Sequence, residues 1–109
     1  MSSLLNNAPP AEVDVETEFR RLAEWWNEET KYLSNIGLAV QHPAYRAIVA
    51  LGPPVIPILL NELATKPDWW FDALEELTGA SPLTSEIGGK VRLMAAKWVQ
   101  WGRDNGYGV

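Results

Sequence analysis

The chain contains no cysteine among its 109 residues. This absence excludes disulfides, thiolate metal sites and cysteine nucleophiles. It is compatible with a reducing cytoplasm, which is the compartment we expect. No apolar run approaches the roughly 20 residues that a membrane-spanning helix needs, so we expect no membrane association. The first ten residues lack a basic segment and a long apolar core, and we therefore expect no signal peptide.

Histidine is nearly absent as well, because His42 is the only one. One histidine with scattered acids supplies neither metal-ligand spacing nor a nucleophile with its base. We therefore expect no metal, no cofactor and no enzymatic activity. His42 precedes Pro43, and we expect it to cap a helix or to pack against the first helix. The adjacent acids Glu28-Glu29 and Glu75-Glu76 point in different directions on a helix and are expected to be solvated.

Positive charge is scarce and unevenly placed. The net charge of −5 argues against a nucleic-acid binder that relies on phosphate neutralisation. Residues 88–109 nevertheless carry four basic residues and one acid. Among them, Lys90, Arg92 and Lys97 are candidate contacts for an acidic partner or for nucleic acid. A solvated helix face is the alternative interpretation, with Arg103 complementing the helix C-terminus.

Apolar residues recur with helical spacing, and no segment alternates with the period of two that marks a strand. The pattern predicts one domain over residues 13–109, preceded by a flexible leader over residues 1–12. Gly37 is interpreted as a break after the first helix. The predicted helices span about 13–35, 43–51, 54–66, 69–78 and 89–105.

The corner at Gly52-Pro53-Pro54 is the most informative local feature. Glycine just past one helix and proline just inside the next is the favoured arrangement. Residues 44–64 look like one unit of a HEAT-type helical repeat, and a weak internal repeat relates 47–52 to 73–79. We therefore predict an all-α fold of about five helices in a short HEAT-like stack, with the first and last helices as caps.

Longer motifs carry a resemblance to a known family. They are His42-Pro43-Ala44-Tyr45, Ala50-Leu51-Gly52-Pro53, Trp70-Phe71, Ala73-Leu74, Leu77-Thr78-Gly79 and Trp98 with Trp101-Gly102-Arg103. On these residues the chain resembles a family of small, mostly uncharacterised bacterial proteins that is common in cyanobacteria. Similar helical proteins are often encoded beside toxin-like or mobile-element genes. The resemblance therefore implies a helical fold and an antitoxin, immunity or accessory role.

Six tryptophans are far more than a chain of this length usually has. Adjacent helical residues lie about 100° apart, so a Trp-Trp pair cannot bury both rings equally. We expect Trp26, Trp70 and Trp98 in the core. A large ring left outside is a typical interface anchor. The candidate partner surface consists of Trp25, Tyr45, Arg46 and Trp69.

These observations predict a small non-catalytic module that binds another protein. The alternative is a nucleic-acid-associated regulator that uses the basic C-terminal helix. Salt-dependent retention on nucleic acid would separate the two, because phosphate contacts weaken steeply with salt.

Overall fold

Helices form all the regular structure of the computed structural model, which describes residues 14–83 and 90–109. No strand occurs within these residues, and the all-α prediction is confirmed. The predicted leader (1–12), Val13 and residues 84–89, which include the predicted start of the last helix at Gly89, lie outside the described residues. In chain order the helices are α1 (Val15–Thr30), α2 (Ile36–Ala39), α3 (Pro43–Ala50), a 3₁₀ helix (Pro53–Val55), α4 (Ile56–Thr65), α5 (Phe71–Thr78) and α6 (Val91–Asp104).

Helix α1 is shorter than the sequence predicts. Its N-cap is Asp14, whose carboxylate accepts hydrogen bonds from the Glu16 amide at 3.1 Å and the Thr17 hydroxyl at 3.0 Å. Near the other end, the buried Thr30 hydroxyl donates to the Trp26 carbonyl at 2.6 Å. The helix ends there, about five residues before the predicted end at 35; residues 31–32 form a turn, and 33–35 have no regular structure.

The sequence pattern does not predict the short helix α2, because it interprets Gly37 as a break. The Asn35 side chain accepts a hydrogen bond from the Leu38 amide at 3.2 Å and so caps a new helical turn. The Trp26 indole then donates to the Ala39 carbonyl at 2.7 Å, which ties α2 to α1. An asparagine cap and a buried indole donor therefore outweigh the weak helix propensity of one glycine.

The predicted corner at Gly52 is present. Gly52 has a φ of +81°, which glycine adopts far more readily than other residues, and the 3₁₀ helix follows it. Gly79 ends α5 with a φ of +75°, as predicted for a C-cap. In the described part of the chain no single helix is long and apolar enough to cross a membrane. The segments Pro43–Ala50 and Pro53–Thr65 pass that test only as a pair, across a bend of 102°.

The helices pack in two groups around one core. Helix α1 packs against α3, which also contacts α5, while α4 packs against α6 and contacts α5. Helical spacing of the apolar residues predicts five core residues: Leu51, Ile58, Leu63, Leu74 and Trp98. Of these, Leu63, Leu74 and Trp98 are buried. Leu51 and Ile58, which the same pattern places inside, are only partly buried at the edge of the core.

An aromatic cluster fills the space between α1, α3 and α5. The Trp70 ring lies 5.2 Å from Phe19, 4.9 Å from Trp26 and 5.6 Å from Tyr45, measured between ring centroids. Offset and edge-on ring pairs at such distances stabilise a core beyond their buried area. The predicted burial of Trp26, Trp70 and Trp98 is confirmed. In the described structure, the indole N–H groups of Trp70 and Trp98 have no hydrogen-bond acceptor.

Candidate partner-binding surface

Tyr45 was predicted to lie on a partner surface, and the structure corrects this because its side chain is fully buried. Its hydroxyl donates to the Trp69 carbonyl at 2.9 Å and accepts from the Ala73 amide at 3.1 Å. Ala73 lies in the first turn of α5, where the N-cap residue Trp70 supplies no side-chain hydrogen bond. Tyr45 therefore caps α5 from the neighbouring helix α3. Burial raises the pKa of its hydroxyl, so this group stays protonated.

Replacing Tyr45 with phenylalanine tests this cap. The Tyr45→Phe variant keeps the ring in the aromatic cluster but leaves the buried Ala73 amide without an acceptor. We expect the free energy of unfolding to fall by about 1–3 kcal/mol, as for other unpaired buried groups. Urea denaturation followed by circular dichroism measures it. The matched control is Tyr32→Phe, because Tyr32 is 90% exposed and should change stability little. Equal stabilities of Tyr45→Phe and wild type would contradict the cap.

Trp69 and Arg46 both contact side chains of α5. Trp69 is half-buried, its indole N–H donates to Asp72 at 2.7 Å, and its ring contacts Phe71 edge-on at 5.0 Å. Arg46 is exposed and forms a two-pronged ion pair with Glu76, with N–O distances of 3.1 and 2.8 Å. This pair lowers the pKa of the Glu76 carboxyl. Both side chains thus make intramolecular contacts that a partner would have to share or replace.

Trp25 is the predicted surface residue with the greatest ring exposure, at 40%. Its ring lies edge-on to the His42 ring, with centroids 5.3 Å apart. His42 Nδ1 accepts a hydrogen bond from the Ala44 amide at 3.0 Å, so Nε2 carries the proton that is donated to Glu29 at 2.7 Å. Both parts of the His42 prediction, the cap and the contact with the first helix, are confirmed. The His42 bond, with a further contribution from the Trp25 indole, lowers the pKa of Glu29.

Exposed large apolar side chains are concentrated near Trp25. Six such side chains are exposed in the described part of the chain, and five of them fall between residues 25 and 38. We call these five the apolar end: Trp25, Tyr32, Leu33, Ile36 and Leu38. The sixth, Leu93, is on α6. Sequence reasoning missed the last four because it predicts a longer first helix, with Leu33 on its apolar stripe and Tyr32 and Ile36 widening that stripe, and it makes no prediction for Leu38.

The basic residues of α6 do not form the predicted set. Arg92 and Lys97 are five positions apart, which places them about 140° apart around the helix. Arg92 lines a groove between α4 and α6, whereas Lys97 lines a smaller depression beside Trp101. Lys90 precedes the first turn of α6. Arg103 lines the same groove as Arg92. The two arginines are eleven residues apart, which is about three helical turns, and this spacing is the sequence signal that could have identified Arg103 as a groove residue.

In residues 14–83 and 90–109, the His, Asp and Glu side chains form no group of three or more suited to holding a metal ion. Comparison of the chain with protein-family models, with curated proteins and with solved structures gave no significant match. The resemblance to a bacterial family and to HEAT-type repeats therefore stays a prediction.

Proposed function

We propose that this protein is a small non-catalytic module that binds another protein through the apolar end, with Trp25 as the central anchor. An antitoxin, an immunity protein or an accessory subunit in the cytoplasm would act in this way. The observation that carries the proposal is the concentration of exposed large apolar side chains between residues 25 and 38. Exposed apolar side chains that are grouped typically mark an interaction site, whereas scattered ones do not, and these five fall within 14 residues of the chain.

The Trp25 ring is held in place before any partner binds. His42 packs against the ring, and the His42 imidazole is itself fixed between the Ala44 amide and Glu29. A side chain that is already ordered loses less conformational entropy on binding, which favours affinity. Tryptophan is also among the residues most enriched in binding hot spots.

Charge around the apolar end indicates the character of the partner. Helix α1 exposes Glu24, Glu28 and Glu29 in its last two turns, and Lys31 pairs with Glu28 at 3.4 Å. Interfaces combine an apolar centre with a polar rim whose charges complement those of the partner. The proposed partner therefore presents an apolar patch bordered by lysine or arginine.

The experiment compares Trp25→Ala and Leu38→Ala with wild type. The protein, immobilised, captures its partner from an extract of the source organism, and the purified pair is then measured by calorimetry. We expect Trp25→Ala to weaken binding by roughly 30-fold, because a buried anchor of this kind contributes about 2 kcal/mol. Circular dichroism is expected to show an intact fold in both variants, since neither side chain is buried.

Leu93→Ala is the matched control, because Leu93 is a large apolar residue exposed to a similar degree on α6. Its binding is expected to equal that of wild type. A partner that binds Trp25→Ala and Leu38→Ala as tightly as wild type would refute the role of the apolar end. Equal losses of binding affinity in all three variants would show that the partner does not bind specifically at the apolar end.

A nucleic-acid-associated function has less support. Lys90, Arg92 and Lys97 do not share one face of α6, and the chain as a whole is acidic. A positive stripe that follows a phosphate backbone is the usual footprint of such proteins.

A further inference from the structure

A groove between α4 and α6 has a chemical character opposite to that of the apolar end. Its volume is about 470 Å³. The buried side chains of Leu63, Ala95 and Val99 contribute apolar surface, while Arg92 and Arg103 supply the charge. Within residues 14–83 and 90–109, no acidic residue lines the groove. It therefore combines an apolar floor with two positive charges in an otherwise acidic chain.

The two arginines lie on one face of α6. Their separation of eleven residues corresponds to a rotation of only about 20° and a rise of about 16 Å along the helix. Neither pairs with an Asp or Glu side chain within residues 14–83 and 90–109. The Nε of Arg103 donates to the main-chain oxygen of Val109 at 2.8 Å, which leaves its two terminal amino groups for a further acceptor. Each guanidinium can therefore receive a carboxylate.

We propose that this groove binds an acidic peptide segment of a second protein, in an extended conformation. Its aliphatic side chains would lie on the apolar floor, and its carboxylates would pair with Arg92 and Arg103. The spacing of about 16 Å corresponds to roughly five residues of extended chain. Guanidinium groups bind carboxylates in a two-pronged geometry that gives specificity as well as attraction.

Charge and shape favour a peptide over a nucleic acid here. As far as the structure describes the chain, the groove floor contains aliphatic side chains and no aromatic ring on which a base could stack. Residues 1–87 carry a net charge of −8 in the sequence, which would repel a long polyanion. A short acidic segment needs only two favourable ion pairs and an apolar contact. The groove supplies both.

The experiment uses the full chain and fluorescein-labelled synthetic peptides of about ten residues, long enough to reach both arginines. The principal probe alternates glutamate and leucine. Two comparison peptides replace leucine with serine, or glutamate with lysine, and a single-stranded DNA oligonucleotide is the fourth probe. Fluorescence anisotropy measures binding at about 0.05 M and about 0.5 M salt, where charge pairs are screened to different degrees.

We expect the glutamate-leucine peptide to bind most tightly and to weaken at high salt. Both Arg92→Glu and Arg103→Gln are expected to weaken it at least tenfold. Arg92→Glu is the primary variant, because Arg92 makes no side-chain hydrogen bond in the described structure, whereas Arg103 also holds Val109. Lys97→Glu is the matched control on another face of α6 and is expected to weaken binding no more than twofold.

Three results would overturn the proposal: peptide affinity unchanged by Arg92→Glu, an equal loss in Lys97→Glu, or tighter binding of the oligonucleotide than of any peptide. Trp25→Ala separates this site from the apolar end. It is expected to leave peptide affinity unchanged, so failure of either proposal does not decide the other.

Discussion

Replacing Trp70 with alanine is expected to lower the free energy of unfolding by about 3–5 kcal/mol, the usual range for deleting a buried tryptophan. The Trp70 ring is buried and contacts the rings of Phe19, Trp26 and Tyr45. Its removal opens a cavity where α1, α3 and α5 meet. Domains of this kind are stable by only about 5–15 kcal/mol, so the variant should lose a large share of its stability. Urea denaturation and calorimetry both measure the loss.

Phenylalanine substitutions at Trp70 and Trp26 sharpen this test. The Trp70 N–H has no acceptor among the described residues, so Trp70→Phe removes ring volume without breaking a hydrogen bond seen there. Trp26→Phe breaks the bond to the Ala39 carbonyl as well. We expect Trp26→Phe to be the more destabilising by about 1 kcal/mol, because it also loses a buried hydrogen bond, while the Ala39 carbonyl keeps the bond from the His42 amide at 3.2 Å. If Trp70→Phe were the more destabilising of the two, the Trp26 indole would not form the stabilising hydrogen bond assigned to it.

Replacing Leu74 with alanine is expected to cost about 2–5 kcal/mol, because its side chain is fully buried and a cavity would remain. The sequence pattern predicts the same cost for Ile58, but the structure places Ile58 at the partly exposed edge of the core. We therefore expect Ile58→Ala to cost clearly less than Leu74→Ala.

The comparison uses one urea titration series on both variants, with unchanged m-values as the check that the unfolded states are equivalent. Wild-type stability of Leu74→Ala would show that the inward face of α5 is misassigned. A larger loss of stability for Ile58→Ala than for Leu74→Ala would show that the inward face of α4 is misassigned.

The helices were predictable wherever a local signal marks their ends. Such signals are present at Gly52 with Pro53 and at Gly79. Glycine and proline end or begin a helix through their own φ angles, so the sequence alone locates these boundaries. The end of α1 was not predictable in this way. It depends on Asn35 capping α2 and on the Trp26 indole reaching Ala39, and the second contact joins parts of the chain that periodicity treats as unrelated.

The candidate surfaces were predictable only in part for the same reason. That Trp25 is more exposed than Trp26 follows from the angle between adjacent helical residues. The burial of Tyr45 does not, because it depends on the neighbouring Trp70 ring and on an amide of α5. The Arg92–Arg103 pair lies between these cases, since helical geometry aligns the two residues but only α4 makes a groove beside them.

The cap that Tyr45 provides has a kinetic consequence. An eight-residue helix whose own N-cap residue supplies no side-chain hydrogen bond is too short to persist alone in water. Helix α5 therefore has to form together with the docking of α3, and the two behave as one cooperative unit. The α5 amides should exchange with deuterium only when that whole unit opens, at the same rate as those of α3. A fragment of the chain that begins after Gly52 lacks α3 and therefore Tyr45. In such a fragment we expect residues 71–78 to lose their helical structure.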